Sequence, residues 1–394
     1  MSIVAPARTT PDWALWGGAG RARAHTLGVE EEVMLLDPRD WRLAQRSDDV
    51  MPMLSAQLAA HVTQETHGGA LELATGVHED VAGLVSELLG LRTALASELA
   101  PMGLCAASAG THPYAVWHET VVSSGERYAE VYGSMRELAR REPTFAMHVH
   151  VGVERAEDAI RLANRMRAHV PMLLALSGNS PFWQGRDTGL ASARTPLFQA
   201  FPRVGVPRRF HSYGDYVAAV DLLLRCNAFP EPTFLWWDVR PQPRFGTVET
   251  RIMDAQTTVA ETAALVALVQ SLARLEVERG YVSETLVEAQ EALEENRFIA
   301  ARDGMEAELI DPESETRVPV QELLELLLEA CAPYAQELGC AAQLEGVREL
   351  AARPGAARQL AAAGRGEGLQ QLVADFAERF CASDDAPARA GATP

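Results

Sequence analysis

The chain has 394 residues, of which 47% are hydrophobic and 23% are charged, a composition typical of a globular protein. Its net charge is −19 and no run of basic residues is concentrated anywhere, so we expect neither nucleic acid nor a membrane surface as a partner. All 35 basic residues are arginines, which excludes a Walker-type phosphate loop and a Schiff-base lysine.

The two ends of the chain differ in composition from its body. Residues 1–24, with prolines and a glycine-rich stretch, are predicted to form a flexible leader, and residues 383–394, small and polar, a disordered tail. Residues 25–382 are predicted to form a single domain whose C-terminal part, from about 283 to 382, is helical.

Between these ends the hydrophobic pattern predicts strands separated by helices. Strand-like alternation occurs at 26–36, 70–75, 147–153, 234–240 and 247–254. Helical spacing occurs at 79–100, 156–177, 212–225, 258–280, 283–300, 319–337 and 367–381, and Pro171 predicts a bend or restart in the second of these. Because strands and helices do not alternate regularly, we predict an α+β fold, a mainly antiparallel sheet backed by helices.

Each predicted strand carries ionisable side chains on one face, because residues two apart point the same way. These polar faces carry Glu30 and Glu32; Glu72; His148 and His150; Asp238 and Arg240, with Trp236; and Glu249 and Arg251. Glu31 falls on an apolar face, so it needs either a buried partner or a bulge in the strand. A solvated sheet face rarely carries so many acids, histidines and arginines. A site shared by the five strands would explain why each of them has such residues on one face.

Carboxylates gathered on one sheet face repel each other, by about 1 kcal/mol per pair in water and about 4 kcal/mol near a protein surface. Divalent cations with oxygen ligands would relieve this repulsion, and the same ions bridge the phosphates of a nucleotide. Because histidine is an uncommon ligand of Mg²⁺, its presence indicates that the site would also bind Mn²⁺. The excess of carboxylates over imidazoles argues against a structural zinc site. Arg194, Arg240 and Arg251 could then clamp phosphate or carboxylate oxygens.

Several motifs follow one another along the chain: Gly28–Glu32, Leu71–Gly76, Gly110–Pro113, Arg127-Tyr128, His148–Gly152, Asn179–Gly189, Trp237–Pro241, Val248–Asp254 and Glu295–Arg297. In this order and spacing they resemble the carboxylate–amine ligase family, the type 2 glutamate–cysteine ligases of bacteria. The resemblance spans roughly residues 25–380 and implies a curved antiparallel sheet, akin to that of glutamine synthetase, whose concave face binds ATP and divalent metals.

The resemblance also implies roles for single residues. It places Glu30, Glu32, Glu72, His148, His150 and Glu249 on metal, and it places Arg251 on the transferring phosphate. Glu249 and Arg240 join Arg251 as predicted catalytic residues. Asp187, from the Asn179–Gly189 motif, joins Arg194, Arg240 and Arg251 as a predicted nucleotide-binding residue. Glu65 is a weaker match to a further acid of related ligases.

The resemblance implies an ATP-dependent ligase that joins a small-molecule carboxylate, glutamate, to an amine through an acyl phosphate, with release of ADP and phosphate. Departures at Gly68-Gly69-Ala70, Leu190 and Gln242 leave the acid and the amine open, including an amine other than cysteine. A phosphotransferase related to guanidino kinases is one alternative. A binding protein without catalysis is another, and the retained acids argue against it.

The remaining features are less specific. Five scattered cysteines form no C-x-x-C pair and favour a reducing cytoplasm. The helices after residue 258 are rich in Ala and Leu, and form either core or the surface of a homo-oligomer. Trp236 and Trp237 are interpreted as core packing.

Overall fold

A computed structural model describes residues 10–18, 22–140, 143–366 and 368–382. Residues 1–9 and 19–21 of the predicted leader, and the whole predicted tail, lie outside the described residues. The described part of the leader contacts the domain. The Trp16 indole donates a hydrogen bond of 2.7 Å to the Val153 carbonyl, and the rings of Trp13 and Tyr216 meet edge to face.

The strands are mostly short, and the longest is the first. In chain order they are β1 (Leu27–Leu36), β2 (Val62–Gln64), β3 (Ala70–Ala74), β4 (Cys105–Ala107), β5 (Ala146–Gly152), β6 (Phe182–Trp183), β7 (Arg186–Asp187), β8 (Val204–Gly205), β9 (Trp236–Trp237), β10 (Val239–Gln242), β11 (Thr247–Asp254), β12 (Glu308–Asp311) and β13 (Thr316–Pro319).

The helices dominate the second half of the chain. They are α1 (Ser47–Val50), α2 (Ala56–Ala59), α3 (Val81–Leu99), α4 (Glu126–Met135), α5 (Ala156–Ser177), α6 (Arg194–Phe198), α7 (Tyr213–Arg225), α8 (Val259–Arg279), α9 (Glu284–Glu288), α10 (Gln290–Asp303), α11 (Val320–Glu337), α12 (Ala341–Ala352), α13 (Gly355–Gly364) and α14 (Leu369–Arg379). Caps fix the ends of α8: Thr258 before the helix and Glu261 in its first turn form a capping box, and the left-handed Gly280 follows its last residue.

One antiparallel sheet of seven strands organises the fold. Its strand order is β10-β11-β5-β1-β3-β2, and β4 also pairs with β1. Strands that are distant in sequence therefore become neighbours, since β5 lies between β1 and β11. This arrangement, with helices beside a mainly antiparallel sheet, confirms the predicted α+β fold class.

Helices cover the apolar face of the sheet. Val29, Val149 and Val248, from three adjacent strands, are buried in one hydrophobic cluster with residues of α5 and α8. Farther along β1, Val33 and Leu35 pack in a second cluster with leucines of α3. Burial of this face in the core leaves the opposite face, with its ionisable side chains, to form a site.

Glu31 lies on the apolar face, as strict alternation requires, and has a buried partner. Arg92 donates hydrogen bonds from Nε and Nη2 to its two carboxylate oxygens at 2.9 and 3.0 Å, and the Thr262 hydroxyl donates another at 2.6 Å. The other donors of Arg92 reach the carbonyls of Thr257, Gln256 and Phe380. Of the two predicted explanations, the buried partner is confirmed.

The predicted strand 234–240 is wrong as a single element. Phe234 ends a short 3-10 turn, β9 pairs in parallel with β8, and β10 joins the main sheet. Asp238 lies between β9 and β10, where Arg297 of α10 holds its carboxylate at 2.6 Å. Alternation predicted an extended chain here, but it could not show that the two halves pair with different partners.

The helix predictions also need two corrections. Helix α5 continues through Pro171, so the predicted restart is wrong; residues 170–177 are all buried, and this packing compensates for the hydrogen bond that proline removes. The predicted helix 283–300 is divided at Ala289 into α9 and α10.

Two absences concern the described part of the chain. None of its helices has the length and apolar character needed to cross a membrane. All five cysteines fall within it, and none forms a disulfide.

Candidate functional site

Strand register brings the predicted site residues together on the polar face of the sheet. Across β1 and β5, Glu30 is paired with His148, and across β11 and β5, Glu249 is paired with His150. On the other side of β1, Glu32 is paired with Glu72 of β3. Six acids and imidazoles predicted from four separate strands are therefore direct neighbours.

These side chains form two groups that could each hold a metal ion. One consists of Glu30, His148 and Glu249, and the other of Glu32, Glu72 and His148; within each group the potential ligand atoms lie within 4.8 Å of one another. His148 belongs to both groups. Its Nδ1 is 3.2 Å from a carboxylate oxygen of Glu30, and its Nε2 is 3.9 Å from one of Glu32.

The crowded carboxyl groups differ in the direction in which their pKa values are shifted. Burial, together with the charges of Glu30 and Glu65, raises the pKa of Glu72 well above the usual range. Burial and the charge of Glu32 raise the pKa of Glu65 to about 8. Burial opposes ionisation of Glu30 as well, but hydrogen bonds with His148 and His150 outweigh it and lower the pKa of Glu30. A cation among these groups would favour the charged form of all of them.

The surroundings of His150 suit the binding of a cation. Its Nε2 is buried and has no hydrogen-bond partner among the described residues, although carboxylate oxygens of Glu30 and Glu249 lie 3.5 and 3.8 Å away. Its other nitrogen, Nδ1, is 2.9 Å from the Thr247 hydroxyl, which orients the ring. Oxygen donors in excess of imidazoles fit a hard divalent ion such as Mg²⁺ or Mn²⁺.

Glu249 is fully buried between two arginines. Arg240 donates to its Oε2 from Nε (2.9 Å) and Nη2 (2.7 Å), and Arg251 donates to its Oε1. Burial alone would raise the pKa of Glu249, but the charges of Arg240 and Arg251 outweigh burial and hold that pKa well below its usual range. Glu249 is therefore a fixed anion at the site.

The predicted nucleotide-binding residues differ in their positions. Arg251 lines the cavity beside the acids, and its buried Nε has no hydrogen-bond partner among the described residues. Arg240 also lines the cavity, but its donors are used by Glu249 and by the carbonyls of Thr233 and Leu235. Arg240 is thus placed to orient Glu249, and its contact with a nucleotide remains a prediction.

The structure does not bring Arg194 and Asp187 to this cavity. Arg194 is buried beside a small neighbouring cavity that Arg251 also lines, and it donates to the carbonyls of Ile252 and Arg251. Asp187 lies in the exposed hairpin of β6 and β7 and accepts a hydrogen bond from the Gly189 amide. The hydrogen bonds of Arg194 hold the backbone that carries Arg251, and its contact with a nucleotide remains a prediction. Nucleotide binding by Asp187 remains a prediction.

The cavity on the polar face has a volume of about 410 Å³, and several of its residues were not predicted as site residues. Those on the polar side are Thr63, Gln64, Thr66, Arg127, Tyr128, Thr233 and Gln242; those on the apolar side are Val131, Met135, Phe198, Phe201, Trp236 and Phe245. The Arg127-Tyr128 motif was one available signal for the former. The aromatic residues carried no spacing that marks a site. Trp236 and Trp237 pack against a hydrophobic cluster, which confirms their interpretation as core packing, and Trp236 also lines the cavity.

Comparison with known proteins agrees with this geometry. The family model "Glutamate-cysteine ligase family 2" matches residues 26–375. A Rubrobacter xylanophilus protein provisionally named glutamate–cysteine ligase 2-1 is 40% identical over 326 residues, which cover 83% of this chain and 86% of that protein. A Gloeobacter violaceus protein provisionally named glutamate–cysteine ligase 2 is 37% identical, covering 90% of this chain and 96% of that one.

Solved structures share the fold at low sequence identity. A glutamate–cysteine ligase from Francisella tularensis in complex with AMP aligns with a TM-score of 0.64 and 13% identity, covering 93% of this chain and 91% of that one. A bifunctional glutathione synthetase from Pasteurella multocida aligns with a TM-score of 0.68 and 13% identity, covering 91% of this chain and 52% of that one. With the family match across most of its length, this chain belongs to glutamate–cysteine ligase family 2 and is an enzyme of the ligase class.

Proposed function

We propose that the chain is an ATP-dependent ligase that joins the carboxylate of an acid, glutamate, to an amine through an acyl phosphate, with release of ADP and phosphate. Membership of the family and the names of the relatives support glutamate as the acid. The observation that carries the proposal is the pair of candidate metal groups that share His148, set in a cavity that also contains Arg251.

The chain's own residues would hold divalent cations on the polar face of the sheet. Glu30, Glu32, Glu72, His148, His150 and Glu249 are the candidate ligands. A bound Mg²⁺ or Mn²⁺ would supply positive charge against the phosphate oxygens of ATP. Without such ions, the acids of this face would repel a triphosphate, so ATP binding and metal binding should depend on each other.

Arg251 is the side chain best placed to stabilise charge on the transferring phosphate. Its Nη1 is held by Glu249 and lies 3.3 Å from His148 Nδ1, which fixes the guanidinium at the edge of both metal groups. Its unpartnered Nε leaves a donor for a phosphate oxygen or for the oxyanion formed when the amine attacks. Arg240 acts through Glu249, and Arg194 acts through the backbone of β11.

The test is to identify the products. Glutamate, a panel of amines, ATP and Mg²⁺ or Mn²⁺ are incubated with the chain, and ADP, AMP, phosphate and amide are quantified. We expect amide and ADP in equal amounts only when metal is present. ADP without amide would favour a phosphotransferase, and AMP with pyrophosphate would exclude the acyl-phosphate scheme.

A matched pair of variants links the products to the site. Glu249→Gln keeps the size of the side chain but removes its charge, and we expect a loss of kcat/KM of roughly 100-fold or more. Glu325→Gln is the control, because Glu325 is an exposed residue of α11 that pairs with Arg348. Equal activity of Glu249→Gln and the control would remove Glu249 from the mechanism.

A further inference from the structure

Part of the cavity lining is aromatic, although acids line the same cavity. Phe198, Phe201 and Trp236 are each half-buried and line the cavity, with Val131 and Met135 beside them. The ring centroids of Phe198 and Phe201 are 5.2 Å apart, and those of Phe201 and Trp236 are 6.3 Å apart. The rings are inclined to one another at 63° and 52°, so they form a cup rather than a stack.

The cup is held in place from outside the cavity. The Arg203 guanidinium lies 5.1 Å from the Trp236 ring centroid, and the Phe234 ring packs on Trp236 at 5.7 Å. The Arg194 guanidinium lies 5.8 Å from the Phe198 ring centroid. Because these contacts restrain two of the rings in advance, an apolar group that enters the cup displaces water at little cost in side-chain ordering.

The position of the cup indicates which substrate it meets. Phe198 and Trp236 also line a small neighbouring cavity together with Arg251, so the cup adjoins the arginine proposed to face the transferring phosphate. During the reaction the amine must approach the activated carboxyl carbon, next to that phosphate. The adenine of ATP, by contrast, lies at the opposite end of the triphosphate.

We infer that the aromatic cup of Phe198, Phe201 and Trp236 is the subsite for the amine, and that the preferred amine carries an aromatic or branched apolar substituent larger than the side chain of cysteine. This inference rests on the proposed ligase function. Three rings with two further apolar side chains offer more apolar surface than a single thiol covers.

The experiment compares amines at saturating ATP, glutamate and metal. Benzylamine, phenylalanine and leucine are set against cysteine and alanine, and amide formation is followed by mass spectrometry. We expect kcat/KM for the larger apolar amines to exceed that for cysteine by roughly 10-fold or more. Amide formed best from cysteine or alanine would overturn the inference and leave the ligase proposal intact, whereas no amide from any amine would overturn both.

Variants of the cup separate an amine subsite from an adenine subsite. Trp236→Ala and Phe201→Ala should remove the preference for large amines and leave the KM for ATP within about twofold of the original value. Trp236→Phe, which keeps a ring, should retain most of the preference even if the alanine variants fold poorly. Trp237→Phe is the control, since Trp237 packs on Phe210 outside the cavity. A raised KM for ATP in Trp236→Phe or Phe201→Ala, with amine preference unchanged, would assign the cup to adenine and overturn the inference.

Discussion

Three consecutive glutamates show that one residue type serves two purposes on the same strand. Glu30 and Glu32 face the cavity and the candidate metal groups, whereas Glu31 between them is fully buried against Arg92. Alternation separates these roles in advance, because neighbouring residues of a strand point to opposite faces. The partner of Glu31 could not be predicted, since Arg92 lies on a helix and no sequence pattern relates the two positions.

At this scale we predict that Arg92→Met strongly destabilises the protein. The substitution leaves the Glu31 carboxylate buried without its counter-ion and frees three backbone carbonyls, and breaking such a pair costs about 3–5 kcal/mol. Chemical denaturation would measure the change in the free energy of unfolding. Arg348→Met breaks an exposed pair with Glu325 and should cost about 1 kcal/mol at most.

The double variant Arg92→Met with Glu31→Leu gives the decisive comparison. Removing both charges should recover much of the lost stability, because the cost comes from the unpaired charge rather than from the missing attraction. If Arg92→Met were as stable as Arg348→Met, the buried Glu31 carboxylate would not depend on Arg92 as its counter-ion.

Individual site residues were predictable where they lay on a strand face. Glu30, Glu72, His148 and Glu249 share a face by alternation, and the register of the sheet brings them together. The arginines were harder, because the reach of a long side chain does not follow from strand register. Arg194, for example, donates to the backbone carbonyls of Ile252 and Arg251, which its sequence position did not indicate.

At the level of elements, long strands were predictable and short ones were not. Four of the five predicted strands have the predicted position, with β1, β3, β5 and β11 differing by at most one residue at an end. Strands as short as β2 and β4 contain too few residues to show alternation, and the partner of β4 is β1, far away in sequence. Helices α12 and α13 were missed because they are rich in alanine and have no side-chain N-cap.

The end of β5 gives a prediction about an element. The backbone of Gly152 pairs with residues 25 and 26, and a Cβ there would collide with the Arg23 carbonyl and the Thr26 hydroxyl. We therefore expect Gly152→Ala to cost about 1–3 kcal/mol of stability. Gly90→Ala is the control, because Gly90 lies inside α3 with open space around it and should gain about 0.5–1 kcal/mol. If thermal unfolding gave both variants a higher Tm than the original chain, or both a lower one, this account would be wrong.

At the scale of the whole molecule, acidic residues exceed basic ones by 19, and part of that excess is concentrated in the site. The raised pKa values of Glu65 and Glu72 mean that the folded protein disfavours the ionised form of these two carboxyl groups when no cation is present. Folding brings these acids together, whereas the unfolded chain keeps them apart. The arrangement therefore trades stability of the metal-free protein for the ability to bind cations.

This trade predicts how metal changes the stability of the whole chain. Because the ligand groups assemble only on folding, Mg²⁺ or Mn²⁺ at 100 times its Kd should stabilise the protein by about 2.7 kcal/mol, seen as a rise in Tm. Glu72→Gln removes one crowded carboxylate, so it should raise the Tm of the metal-free protein and reduce the further rise on adding metal. Glu325→Gln should change neither quantity. Two results would contradict this prediction: a lower Tm of Glu72→Gln than of the original chain without metal, or no change in the Tm of the original chain on adding either ion. Either result would mean that hydrogen bonds, rather than cations, stabilise the acids of this sheet face.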